Sequence, residues 1–206
     1  ISLNLGTESW AHRGTFVGGI APENSLDALL CSSRAGFEWC ELDLKKTSDG
    51  QFVIFHDTNI NDKLRLKSDY DTPIAEPTPL NSLTLSDLRA NYVFISKNVH
   101  QRKPVPTLQE WLQASALYNV NPLIELKDAF TESDLDAIYD LCVSILPANK
   151  IAFTSLSAGV ELNYLRAKSE DILIVYGGGD YTNPDATIWA TTQKKNTIIS
   201  VGNNWM

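Results

Sequence analysis

Two rhythms of apolar and polar positions alternate along this chain. Short apolar or every-other-residue patterns, the period of a pleated strand, occur at 9–13, 38–44, 52–55, 122–126, 151–154, 172–176 and 197–201. Between them the spacing changes to that of a helix. Leu26, Leu29 and Leu30 share one helical face, as do Leu108, Trp111, Leu112 and Ser115 behind a Thr107-x-x-Glu110 capping box. The clearest helical period is Leu135, Ile138, Leu141, Cys142 and Ile145, opened by Thr131 with Asp134 three residues on. The alternation breaks over 58–103, a polar stretch that carries Pro73, Pro77 and Pro79 and one short helix at 85–91.

Strands alternating with helices predict an α/β fold built on a parallel sheet, and the count points to a (β/α)8 TIM barrel. Such a barrel usually takes about 250 residues, whereas this chain has 206 and spends part of them on 58–103. The expectation is therefore a single barrel domain over 1–206 with a small insertion, about 58–103, after the third strand. Its C-terminal strand-helix units would be lacking, and the parent protein would continue past Met206. A first residue Ile1, with neither Met nor a basic leader, likewise suggests part of a longer or processed chain.

A net charge of −8 repels nucleic-acid backbones, so no nucleic-acid partner is expected. A phosphate-bearing ligand would have to meet local cations or a metal. No apolar run reaches the roughly 20 residues of a membrane span. Cys31, Cys40 and Cys142 lack metal-ligand spacing and read as buried free thiols, with one bridge left open. The compartment, extracellular or cytoplasmic, stays undecided.

Chemistry concentrates at strand ends. In Glu41-Leu42-Asp43-Leu44 the two acids share one strand face and the leucines the other. A barrel strand turns its apolar face outward to the helices, which sends both acids inward toward the carboxyl end. In Ile124-Glu125-Leu126-Lys127 the same alternation puts Glu125 and Lys127 together. Solvated acids, or a plain Glu125–Lys127 ion pair, are the structural alternatives. Three carboxylates converging at one rim would suit one divalent cation, Mg²⁺ or Ca²⁺, better than zinc. His12 and His56 end two strands, where an imidazole can exchange protons with a substrate. His100 reads as solvated. Arg13 precedes Gly14, which lets the chain turn and the guanidinium fork onto phosphate oxygens. Asn24 reads as a helix cap with Asp27 at capping-box distance. Glu23 could orient a histidine or a metal-bound water.

The run His-Arg-Gly at 12–14, Pro-Glu-Asn-Ser at 22–25, Glu-x-Asp at 41–43, Asp-Gly at 49–50 and His-Asp at 56–57 resembles the glycerophosphodiester phosphodiesterase family. Val-Pro-Thr-Leu-Gln-Glu at 105–110 and Ile-Glu-Leu-Lys at 124–127 extend the resemblance, with Ser25 where threonine is usual. It implies a TIM barrel with Glu41, Asp43 and Glu125 as metal ligands. It further implies His12 and His56 as the acid-base pair, Arg13 and Lys127 as phosphate contacts, and Glu23 and Asn24 in support. The substrate would be a glycerophosphodiester, split by water to sn-glycerol phosphate and an alcohol. Alternatives are the same chemistry on a lysophospholipid, a sphingolipid or a polymeric glycerol phosphate such as teichoic acid, or a non-catalytic module that binds a phosphate ligand. Substrate choice would rest on 58–103, on the glycine run 177–179 and on Asn203 and Trp205 at the rim.

Overall fold

The computed structural model describes residues 10–15, 21–97, 100, 102–155 and 159–175, with the backbone also of 176 and 197–199. Its strands are β1 (Trp10–Ala11), β2 (Trp39–Lys46), β3 (Phe52–Ile54), β4 (Leu64–Leu66), β5 (Tyr92–Phe94), β6 (Asn121–Leu126), β7 (Ala152–Ser155), β8 (Leu173–Tyr176) and β9 (Thr197–Ile199). The helices are α1 (Leu26–Arg34), α2 (Leu85–Asn91), α3 (Leu108–Tyr118), α4 (Glu132–Ile145) and α5 (Val160–Lys168). The main sheet runs β1-β2-β6-β7-β8-β9, and every neighbouring pair along it is parallel.

Strand alternation sorts this sheet into two faces. Cys40, Leu42 and Leu44 of β2, Ile124 and Leu126 of β6, Phe153 of β7 and Ile174 of β8 join the core beneath the helices. That core also takes Leu29 of α1, Leu108, Trp111 and Leu112 of α3, Leu135 and Ile138 of α4, and Leu162 and Leu165 of α5. The opposite face carries a smaller apolar layer, Trp39, Leu123, Ala152 and Val175. Two residues further along β2 and β6, the same face turns acidic at Glu41, Asp43 and Glu125. The apolar layer is thus the floor of the site. The helix ends follow the sequence signals: both capping boxes form, Thr107 with Glu110 on α3 and Thr131 with Asp134 on α4.

The expectation of seven parallel strands is corrected at the third. β3 pairs antiparallel with β2, Leu44 opposite Ile54 and Lys46 opposite Phe52, so it does not belong to the parallel series. The reason lies in Thr47 to Gln51, where Thr47 N–H donates to the Gln51 carbonyl at 3.0 Å and Gly50 takes φ 78°. Asp49 accepts from the Thr47 hydroxyl at 2.5 Å and from Leu85 N–H at 3.0 Å. Asp-Gly at 49–50 is therefore a hairpin turn that reverses the chain, and the excursion from the parallel sheet begins with β3 itself. Its composition hides a packed lobe. Val53, Phe55, Ile60, Leu64, Leu80, Leu88, Phe94 and Val105 bury a core of their own under the antiparallel β4–β5 pair and α2.

Candidate functional site

β2 and β6 are adjacent and in register, with Asp43 opposite Glu125, so two inward acids meet side by side and Glu41 lies one pleat below. The ligand atoms of all three lie within 4.8 Å of one another, with Glu41 and Asp43 buried and Glu125 slightly more exposed. Glu41 Oε1 and Asp43 Oδ1 accept no hydrogen bond from the described residues. Buried acceptors are normally satisfied, and two orphan carboxylate oxygens in one cluster are what a cation would occupy. Burial first, then the Asp43 and Glu125 charges, push the Glu41 carboxyl well above its ordinary range. Glu125 is also raised, by burial above all, against the opposing pull of Lys127.

Cations ring the acids. Lys127 Nζ stands 3.2 Å from Glu125 Oε1 and 3.7 Å from Asp43 Oδ1. Arg13 Nε lies 3.3 Å from Asp43 Oδ2, and its Nη1 lies 3.3 Å from Glu23 Oε1. The turn that allows this starts one residue earlier than Gly14 suggests, because Arg13 itself has φ 54°. That conformation aims the Arg13 N–H inward, where it donates to Glu41 Oε2 at 2.7 Å. A left-handed non-glycine residue costs roughly 1–2 kcal/mol, offset here by a charge-assisted bond. Gly14 is needed twice over: its φ is 81°, and a Cβ there would sit 2.6 Å from the Cβ of Ala28 on α1.

The reading of Asn24 as a helix cap is corrected. Ser25 caps α1, accepting from Ala28 N–H at 3.1 Å. Asn24, one residue earlier and at φ 57°, points instead to β2: its Nδ2 donates to Asp43 Oδ2 at 2.7 Å and its Oδ1 accepts from Asp43 N–H at 3.2 Å. A left-handed backbone suits asparagine better than most residues, and here it turns a capping residue into a clamp on a buried acid.

His12 follows β1 and lies with Nε2 3.9 Å from Glu41 Oε2. Burial and the neighbouring Arg13 charge pull its imidazole below the ordinary 6.5. His56 arrives from the other direction. Because β3 runs back along β2, Phe55 N–H donates to the Asp43 carbonyl at 2.9 Å, and the next residue is delivered beside the acids. His56 Nδ1 then pairs with Asp57 Oδ1 at 2.6 Å, which fixes the ring and leaves Nε2 for other work.

Three contributors escape a reading of the sequence for strand-end chemistry. Asp57 stands inside the His-Asp motif, and its adjacency to His56 was the available signal. Lys63 comes from the excursion, and its Nζ reaches Glu23 Oε1 at 3.1 Å; nothing local announces it. Lys45 continues the inward series of Glu41 and Asp43 and pairs with Asp128 at 3.3 Å, a placement the alternation of β2 already implied. His100 is exposed. All three cysteines are free, Cys40 and Cys142 buried and Cys31 partly so. The glycine run 177–179, Asn203 and Trp205 lie outside the described residues.

Fold and site together define the class: an α/β protein whose acidic cluster, suited to a hard divalent ion, sits on a parallel sheet among cations and imidazoles. Residues 12–170 match the model of the Glycerophosphoryl diester phosphodiesterase family. That span is most of the chain, and the chain belongs to this family. Over 61 residues it is 39% identical to the Uncharacterized protein YqiK of Bacillus subtilis strain 168, an alignment covering 30% of this chain and 24% of YqiK. An Oleispira antarctica phosphodiesterase, solved in complex with the product sn-glycerol-3-phosphate, matches with TM-score 0.67 and 25% identity over 81% of this chain and 64% of its own. A glycerophosphodiester phosphodiesterase from Parabacteroides distasonis has the same fold, with TM-score 0.63 and 16% identity over 95% of this chain and 84% of its own. The chain thus spans about a quarter of YqiK and under two thirds of the Oleispira chain.

Proposed function

We propose that this chain hydrolyses a glycerophosphodiester to sn-glycerol phosphate and an alcohol with one divalent cation, Mg²⁺ or Ca²⁺. The observation that carries the reading is the buried carboxylate cluster, three ligand atoms within 4.8 Å of one another and two orphan oxygens. Every donor is oxygen, which fits a hard cation better than zinc. Bound by Glu41, Asp43 and Glu125, the ion would supply Lewis-acid charge to a phosphate oxygen.

The remaining roles follow from where the side chains stand. Arg13 and Lys127 add positive charge beside the cluster, which favours a transition state whose negative charge grows on the phosphoryl oxygens. Glu23 holds Arg13, and Asn24 holds Asp43. His12 and His56 form the acid-base pair: one takes the proton of water or of a neighbouring glycerol hydroxyl, the other gives one to the departing alcohol. Asp57 keeps His56 oriented. The same reading makes residues 1–206 one domain, its sheet part of a (β/α)8 barrel with the excursion as an insertion.

The test is hydrolysis of glycerophosphodiesters in EDTA and after Mg²⁺ or Ca²⁺ is restored. Turnover absent in EDTA and recovered with the ion is the expected result. Turnover indifferent to EDTA would remove the metal from the mechanism, and binding without turnover under every ion would make the domain a binding module.

A further inference from the structure

Resting on the proposed phosphodiester hydrolysis, we propose that a cleft in the excursion lobe is a second anion subsite, selecting substrates that carry another phosphate beyond the scissile one. The cleft has a volume of about 270 Å³ and is walled by Arg65, Lys97 and Arg102, with Tyr70, Ile95 and Asp71. Three cations gathered around one cavity are notable in a chain of net charge −8. The one acid, Asp71, is 94% exposed and 3.9 Å from Arg102, so water screens most of its pull.

The cations are set rather than loose. Arg102 Nε donates to the Ser96 carbonyl at 3.3 Å, and its guanidinium lies 4.8 Å from the centre of the Tyr70 ring. Arg65 Nη1 donates to the carbonyls of Asn61 and Leu64 at 3.1 and 2.9 Å. These bonds use only part of each five-donor fork, and a planar fork fixed in advance is suited to phosphate oxygens. Tyr70 and Ile95, each 39% exposed, offer apolar surface to the carbon body that joins two phosphates.

The cleft belongs to the same lobe that sends Lys63 to the acidic cluster. Leu64 turns into the lobe core, and Lys63 stands in the turn that leads into β4, one residue before it. Lys63 accepts from Ile95 N–H at 2.9 Å through its carbonyl, while its ammonium stands 3.1 Å from Glu23. Glu23 in turn holds Arg13. Lys63 thus ties the cleft wall, through its backbone, to Glu23 and Arg13 beside the acidic cluster, and a second phosphate of the same substrate would lie beyond it, among Arg65, Lys97 and Arg102.

The test compares glycerophosphoglycerol with bis(glycerophospho)glycerol, which adds one phosphodiester to the same chemistry. Wild type should favour the second by roughly five- to tenfold in kcat/KM at low salt, the scale of partly exposed charge-assisted contacts, with the preference shrinking as salt rises. The double variant Lys97→Gln/Arg102→Gln should lose that preference and keep its kcat/KM on glycerophosphoglycerol, which also reports that the site still folds. No preference in wild type, or a preference that survives in the variant, overturns the proposal. If wild type hydrolyses neither compound with either ion, the hydrolytic reading has failed, and equilibrium dialysis with labelled bis(glycerophospho)glycerol decides the subsite: weaker binding to the variant supports it, and equal binding overturns it.

Discussion

Replacing Glu41 by Gln should stabilise the metal-free protein and abolish its stabilisation by metal. The acidic ligand atoms lie within 4.8 Å of one another, and at a pH high enough to ionise Glu41, with an effective dielectric near 20, two charges that far apart repel by about 3.5 kcal/mol. Gln keeps the shape of Glu41 and an oxygen for the Arg13 N–H, giving up about 1 kcal/mol for the lost charge on that bond. The net gain is on the order of 2 kcal/mol, or about 4–8 °C in melting temperature for a domain of this size. Wild type at a hundredfold excess of Mg²⁺ or Ca²⁺ over Kd should gain about 2.7 kcal/mol, a comparable shift. With one ligand gone, the variant should respond little. The pH dependence gives a second reading of the same residue. Burial and its acidic neighbours raise the Glu41 carboxyl above 4.5, so the folded state holds a proton that the unfolded chain releases. Metal-free stability attributable to this group therefore falls as pH rises from about 4.5 through the raised folded value. His12, lowered from 6.5 by burial and Arg13, acts in the opposite direction, and because it stands 3.9 Å from Glu41 the difference between the two proteins reports Glu41 together with the groups it touches. Calorimetric melting in EDTA and in saturating ion measures all of this. A variant that melts below wild type in EDTA, or that gains as much from the ion as wild type, would refute the reasoning.

His12→Ala and His56→Ala should each lower kcat on the order of 10²-fold with little change in KM; near-normal turnover in steady-state assays would remove that histidine from the chemistry. Gly14→Ala should cost about 2–4 kcal/mol in urea unfolding, because the new methyl meets Ala28 at 2.6 Å and the backbone stays at φ 81°. Burial alone would raise Glu110 and Asp134, but Arg89 and Thr107 outweigh it at the first, and Lys46 and Thr131 at the second, so both sit below 4.5 and 3.8. Their contribution is present above those values and lost as pH falls through the folded ones, so Glu110→Gln should flatten the acid limb of a stability-versus-pH curve. Burial pushes the Cys40 thiol up to about 12 and raises Cys142 as well, so an aromatic disulfide reagent should modify native protein at Cys31 alone and reach the other two only after unfolding.

What could be read from the sequence was whatever depends on near neighbours in the chain. Glu41 and Asp43 share a face because strands alternate, and the boxes at Thr107 and Thr131 close over three residues. The reversal at β3 was misjudged because 52–55 has a strand's composition whichever way it runs, and direction is set by the turn at 47–51. Asn24 was misjudged by one residue: Asn and Ser are both good helix caps, and only the left-handed backbone, invisible in composition, sends the Asn24 amide to Asp43. Lys63 depended on the first of these, since it reaches Glu23 only after the hairpin folds back and the lobe packs on Leu64, Leu88 and Phe94.

The hairpin that spoiled the strand count is also what completes the site. Parallel strands deliver their side chains to a common rim from one direction, which suffices for Glu41, Asp43, Glu125 and Lys127. A second imidazole beside these acids needs a segment that comes back toward that rim, and β3 does so by pairing with the end of β2 beyond Asp43. The same excursion brings Lys63 to Glu23. Among the described residues around the cluster, the carboxylates of Glu23, Glu41, Asp43 and Glu125 outnumber the charged side chains of Arg13, Lys63 and Lys127 that stand against them, so with its acids ionised the site is negative and repels a phosphodiester. A bound divalent ion would reverse that sign. On the proposed mechanism the ion would then be needed for the substrate to enter as much as for its bond to break, and binding of an uncleaved diester analogue should depend on it as strictly as turnover does.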